Sequence, residues 1–192
     1  RLEHLRVIRP LSDSDETSLD FSTLLHLEIF RTPSGDKTNT LFAHLDRTAT
    51  SQGSRRLARW LRTPLTNPEK INERLNRVEV LVKDHFLRKK LRNLLSEVAD
   101  LEKLAARLGM GKAGPRDIAA IKNSLAILPE ITALLRESGP PLSNLLTQFP
   151  DLVELFKLLG AALKDDPPLA VNQGGIIKPG YSAELDNLHA GI

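Results

Sequence analysis

From Asn67 to Leu135 apolar residues recur at the three-and-four spacing of an α-helix, and this periodicity constrains the fold more than any other feature. Asn67-Pro68 opens the pattern with a cap followed by proline at the first helical position, and Ile71, Leu75, Val78 and Val82 then form one stripe. A fresh start at Asp84 carries Leu87, Leu91, Leu94, Leu95 and Val98. Asp100 caps a third helix through Leu101, Leu104 and Leu108, which Gly109 and Gly111 stop. Gly114-Pro115 begins a longer stripe of Ile118, Ile121, Leu125, Leu128, Ile131 and Leu135. Pro129 lies inside it, deletes one backbone hydrogen bond, and predicts a kink or a split. No run of strands competes with these segments, so the predicted class is all-α, a bundle-like core of many helices.

The flanks are less regular. Leu5 to Pro10 reads as a short strand ended by proline, and Leu11 to Glu16 as a polar connector. Asp20 stands where a cap belongs, ahead of Phe21, Leu24, Leu25, Leu27 and Ile29. Arg31 to Lys37, with Pro33 and Gly35, reads as a loop. Pro140-Pro141 interrupts the helical pattern, after which Leu142 to Gln148 and Asp151 to Leu163 predict two short helices. Lys164 to Gly180 is rich in Pro and Gly and predicts extended structure with tight turns, before Ser182 caps a last helix. The boundaries expected are residues 1–15 as the end of a preceding domain and linker, and 16–192 as a single helical domain. A first residue other than Met and a last helix cut short in its early turns both predict a segment of a larger protein.

Composition narrows the chemistry. With 192 residues, 41% of them hydrophobic, the chain can bury one sizeable core, or one and a half smaller ones. No uninterrupted apolar run reaches the roughly 18 residues of a membrane span, and Leu2 to Pro10 lacks the apolar stretch of a signal peptide. Membrane partners are therefore not expected. The absence of cysteine removes disulfides, thiolate nucleophiles and zinc–thiolate sites, which suits a reducing cytoplasmic setting. Charge is uneven: residues 1–112 hold 21 Lys and Arg against 15 Asp and Glu, while 113–192 hold 6 against 9. A basic half is compatible with a polyanionic partner and equally with the solvated faces of amphipathic helices.

No catalytic constellation emerges. Gly109-Met110-Gly111-Lys112 has neither the spacing nor the preceding strand of a phosphate loop. His4, His26, His44, His85 and His189 are scattered without carboxylate partners at helical spacing and read as surface residues. Asp165-Asp166 lies beside two prolines and reads as a solvated turn. Ser22, Ser51 and Ser54 lack the glycine frame of a nucleophile elbow. No catalytic, cofactor-binding or metal-binding residue is expected.

The densest stretch runs from Thr40 to Leu65. Leu41 and Leu45, then Leu57, Leu61 and Leu65, imply two short helices meeting at Thr48 to Gly53, with Thr50 and Ser51 as candidate caps. Gly53 is expected to admit the close approach of another backbone, and Pro64 to end the second helix. Arg55, Arg59 and Arg62 share one face, whereas Trp60 lies off it and is expected between helices. Two readings of these arginines stay open: a surface contacting phosphates, or interdomain salt bridges and stems laid over apolar neighbours. Aromatic residues make up only 4% of the chain, which favours the second, because readers of single strands rely on stacking.

This run resembles the start of the core, or lever, domain of the MutS family of DNA mismatch-recognition ATPases. The resemblance rests on Leu27-Glu28, Leu41, Leu45-Asp46, Thr48, Thr50, Gly53, Arg55, Leu57, Trp60-Leu61 and Pro64-Leu65. It continues through Ile71, Arg74 and Val78, then Asp100 to Leu104, Pro115 to Ile118, Gly175 to Tyr181 and Glu184 to Asp186. Two positions depart from the pattern: Lys103 stands where the family usually has Arg, and Gln52 where it often has Met. The resemblance implies the end of a connector domain followed by the first part of the core, before the clamp insertion. It implies a non-catalytic role, coupling the ATPase to the DNA clamp in a dimeric parent that binds mismatched duplex DNA. ATP and Mg would be bound by a C-terminal domain outside this chain, and the remaining MutS domains would be its partners. The implied location is the cytoplasm, bacterial and associated with the nucleoid. The alternative is a helical module that binds nucleic acid or protein directly through its basic N-terminal half.

Overall fold

Seven side chains start seven helices among the described residues, each accepting a backbone N–H that the first turn would otherwise leave without a partner. A computed structural model describes residues 15–191 of the protein. The expected strand over Leu5 to Pro10 and most of the 1–15 linker lie outside them. Asp20 caps α1 (Phe21–His26), Thr40 caps α2 (Leu41–Leu45) and Thr50 caps α3 (Ser51–Arg62). Asn67 Oδ1 accepts from Glu69 and Lys70 at the head of α4 (Pro68–Lys83). Asp84 and Asp100 do the same for α5 (His85–Glu97) and α6 (Leu101–Gly109). Helix α7 spans Pro115–Glu137, α8 spans Val153–Ala162, and Ser182 caps α9 (Ala183–Ala190). No named strand occurs among the described residues, and the all-α class holds.

The chain divides into two units, the first ending at Lys83 and the second beginning at Asp84. In the first, residues 15–19 run beside the segment that follows α3. Thr17 N donates to Pro64 O at 3.0 Å, Leu19 N to Arg62 O at 3.1 Å, and Thr66 N to Asp15 O at 2.8 Å. Helix α1 ends in a Schellman turn: Ile29 N reaches Leu24 O and Glu28 N reaches Leu25 O, with Glu28 in the left-handed region at φ 50°. The turn aims Ile29 inward, and the Glu28 and Ile29 carbonyls then take the N–H groups of Leu41 and Phe42. Thr40, 1% exposed, is satisfied by donating to Lys37 O and accepting from Ala43 N.

In the second unit α7 is the spine, with α5, α6, α8 and a 3-10 helix (Ser143–Gln148) packed along it. Its buried residues Ala119, Leu125, Ile131 and Leu135 join Leu91, Leu104, Leu142 and Leu163 in one core. The Ser124 hydroxyl donates to Ala120 O at 2.8 Å and accepts from Ala99 N at 3.0 Å, tying the α5–α6 connection to the spine. Pro129 does not split the helix, which is continuous from Pro115 to Glu137. This helix is, by length and composition, long and apolar enough to cross a membrane, contrary to the expectation that no segment would be. Its buried face and its buried, ion-paired Lys122 mark it as a core helix. The segment expected as a helix over Leu142 to Gln148 is 3-10 rather than α, following the cis Pro140-Pro141 bond. The Pro/Gly-rich stretch folds back so that Leu163 and Ile177 form an antiparallel bridge, with Lys178 N donating to Ala162 O at 2.8 Å.

Candidate functional site: the Asp46 knot and the arginine helix

Between α2 and α3 the chain ties itself around one carboxylate. Asp46 Oδ1 accepts from Thr48 N at 3.2 Å and Thr48 Oγ1 at 2.7 Å, and Asp46 Oδ2 takes the Ser54 hydroxyl from within α3. These donors, the Ser54 hydroxyl foremost, hold the Asp46 carboxyl below the usual carboxylate range. Thr50 Oγ1 accepts from Gly53 N at 2.9 Å. A Cβ on Gly53 would stand 3.1 Å from Thr50 Oγ1 and 3.2 Å from Thr48 Cβ. The close neighbours of Gly53 are thus threonine side chains of its own capping loop, not the backbone of another element. The spacing of Asp46, Thr48, Thr50 and Gly53 is therefore the spacing of one local knot that fixes how α2 turns into α3.

Helix α3 carries the arginines. Arg55, Arg59 and Arg62 are all exposed on one face, as the spacing predicted. Arg62 does not simply extend into solvent: its guanidinium lies 4.5 Å from the centre of the Phe30 ring, beside a cleft lined by Phe21, Leu24, Leu25 and Arg31. Trp60, half-buried, packs against α4, where the Arg74 guanidinium sits 3.8 Å from its ring centre; Arg56, one turn earlier on α3, approaches to 5.7 Å. Burial, together with the like charges of Arg56 and Arg77, pushes the Arg74 guanidinium below its ordinary value, and Glu16 opposes this. The Arg74–Trp60 stack was not legible beforehand, because nothing local in either segment pairs them.

The second unit holds its own polar contacts. Asp117 accepts from Gly114 N at 2.8 Å and from Arg107 Nε at 3.0 Å, so one carboxylate closes the α6–α7 loop and heads α7. A Cβ on Gly114 would come within 3.3 Å of Leu169 O, so here a backbone does approach a glycine. Lys122, 7% exposed, reaches Asp165 at 2.9 Å. The Asp165 turn is exposed, as expected, yet it also supplies the counter-ion of a buried ammonium. Gly109 to Lys112 lies at the C-terminal end of α6, the wrong end of a helix dipole for phosphate. Among the described residues no three His, Asp or Glu side chains gather as a metal site, and His26, His44 and His85 are exposed.

A family model described as MutS domain III matches residues 22–190. The DNA mismatch repair protein MutS of Thermus aquaticus is 46% identical over 169 residues, covering 88% of this chain and 20% of the relative. Its namesake in Methanosarcina acetivorans is 39% identical over 194 residues, covering 97% and 21%. That of Methanothrix thermoacetophila is 39% identical over 196 residues, covering 100% and 23%. The chain spans about a fifth of the length of the curated relatives it matches.

Proposed function

The chain belongs to the MutS domain III family, and on that premise we propose that it is a non-catalytic coupling segment of a DNA mismatch-repair ATPase. In this reading it transmits a rearrangement between a nucleotide site and DNA-clamping elements that other segments carry. Those segments bind ATP, Mg and mismatched duplex DNA, and the parent acts as a dimer in the cytoplasm. The observation that carries the reading is the family match over residues 22–190. The fate of the resembling residues supports it: Asp46, Thr48, Thr50 and Gly53 are consumed in holding α2 to α3, and Asp117 in holding α6 to α7. Rigid joints of this kind suit an element with discrete arrangements, through which coupling energies are typically about 1–3 kcal/mol.

The test is Asp46→Ala in the intact protein, with ATP hydrolysis measured alone, with matched duplex and with mismatched duplex. Basal hydrolysis should stay within about twofold, while the response to a mismatch should fall by roughly fivefold or more, the lower end of such couplings. An unchanged mismatch response would sink the coupling role. The exposure of Arg55 and Arg59 keeps a second reading in play, direct duplex binding through the basic half. That reading requires salt-dependent affinity of the chain for duplex DNA, lost on replacing Arg55, Arg59 and Arg62. The expected affinity is weak, since Arg62 lies over Phe30.

A further inference from the structure

Helix α4 turns its apolar stripe outward. Ile71, Leu75, Val78 and Val82 are 36%, 56%, 50% and 65% exposed. The residues it half-buries instead include Arg74 and Arg77, with Arg74 laid on Trp60. A helix packing only on its own unit would do the reverse, since each exposed aliphatic forgoes about 25 cal/mol per Å2 of burial and each buried guanidinium is desolvated. The spacing of the stripe is four, three, four, the seam of two helices packed at a shallow crossing angle. A strand repeats every two residues and cannot fill that seam.

The flanks indicate the charge of the occupant. On one side of the stripe Glu79 is paired with Lys83. On the other lie Arg74 and Lys70, the latter paired with Asp15, with Arg77 and Arg56 behind. Arg77 Nε is buried with no hydrogen-bond acceptor, and its guanidinium meets Glu73 only at 3.5 Å. Lys70 and Arg77 thus have carboxylate partners, whereas Arg74 and Arg56 form no ion pair among the described residues, and Glu16 acts on Arg74 only from a distance, so the unmatched charge beside the seam is positive. Two copies docked antiparallel would set this basic flank against itself, which disfavours antiparallel self-pairing.

We propose that the Ile71–Leu75–Val78–Val82 face of α4 docks an amphipathic α-helix, apolar at the same spacing and bearing carboxylates that lie against Arg74. The inference rests on α4 and Trp60 and stands whether or not the segment couples nucleotide to DNA. Trp60, the only tryptophan, reports on it directly, because Arg74 covers its ring. The 192-residue chain would be titrated with a tryptophan-free helical peptide carrying Leu at the seam and Glu on its flanks. Its Lys-flanked counterpart and a duplex DNA would be titrated in parallel. The Glu peptide should change Trp60 emission saturably and bind at least about tenfold more tightly than the Lys peptide. Leu75→Glu, at a solvent-facing position, should abolish binding with helix content unchanged by circular dichroism. Arg74→Gln should erase the preference between the peptides. The proposal is overturned by no binding, by equal binding of the two peptides, or by binding that survives Leu75→Glu. It is also overturned if duplex DNA alone binds at this face, or if sedimentation shows a dimer that Leu75→Glu dissolves.

Discussion

A Cβ at Gly53 would press on Thr50 Oγ1 and Thr48 Cβ at 3.1 and 3.2 Å, and neither threonine is at liberty to move. Thr50 Oγ1 is engaged by Gly53 N, and the Thr48 hydroxyl is engaged by Asp46, which Ser54 holds in turn. Alanine in place of glycine near the start of a helix would ordinarily gain up to about 1 kcal/mol of propensity. Crowding of a site that cannot relax costs about 1–3 kcal/mol, so the clash should win. Gly53→Ala is expected to destabilise the first unit by about 1 kcal/mol, read as a lowered midpoint of thermal unfolding followed by Trp60 emission. A raised midpoint would show that the knot is looser than its hydrogen bonds indicate. The residues around Gly53 were legible as a group, because capping is local and spelled out within four positions. What crowds Gly53 was not, since a sequence shows that a Cβ is excluded and not which atoms exclude it.

At the scale of elements the starts of helices were the most readable feature. Asp20, Thr50, Asn67, Asp100 and Ser182 all cap where expected, and Asp84 caps at the fresh start read there, since a cap needs only a short polar side chain and the next two or three N–H groups. Periodicity was equally plain, but it states that a face is apolar and not where the face points. The outward stripe of α4 follows from contacts with Trp60 that no local pattern encodes. Likewise Lys122 and Asp165 are far apart in sequence, and only the fold-back of the Pro/Gly-rich stretch joins them. Pro129 shows how tertiary packing overrides a breaker: the buried residues Leu125, Ile131 and Leu135 on both sides keep α7 in one piece. The missing N–H still has a cost, which an interior proline sets at about 3 kcal/mol, partly offset by its stiffening of the unfolded chain. Pro129→Ala is therefore expected to stabilise the second unit by about 1–2 kcal/mol. Urea unfolding followed by helical circular dichroism would show it as a higher midpoint, and an unchanged midpoint would mean that the proline ring's place beside Phe149 and Phe156 offsets the missing bond in full.

At the scale of the whole molecule, five aspartates share one tendency. Asp46 is held low first by the Ser54 hydroxyl, Asp165 by Lys122, Asp117 by the Gly114 N–H, Asp20 by the Thr23 N–H and Asp15 by Lys70. In each the folded pKa lies below the unfolded one, so the folded state favours the ionised form. The stability this confers is complete above the unfolded carboxylate value of about 4 and is lost as pH falls through the lower folded values. Charge acts in the same direction, because protonating the 24 acidic residues leaves 27 Lys and Arg unopposed. The urea midpoint should consequently hold steady from about pH 7 to about pH 5 and fall steeply below about pH 4. Asp46→Asn and Asp165→Asn, which remove the titration but keep the shape, should each lower the neutral-pH midpoint and flatten the acid limb. Salt separates the two contributions: it screens the general repulsion of the cationic chain but acts little on the hydrogen bonds inside the Asp46 knot. An acid limb that high salt abolishes would place the loss in net charge, whereas one that persists in salt and vanishes in Asp46→Asn would place it in the knot between α2 and α3.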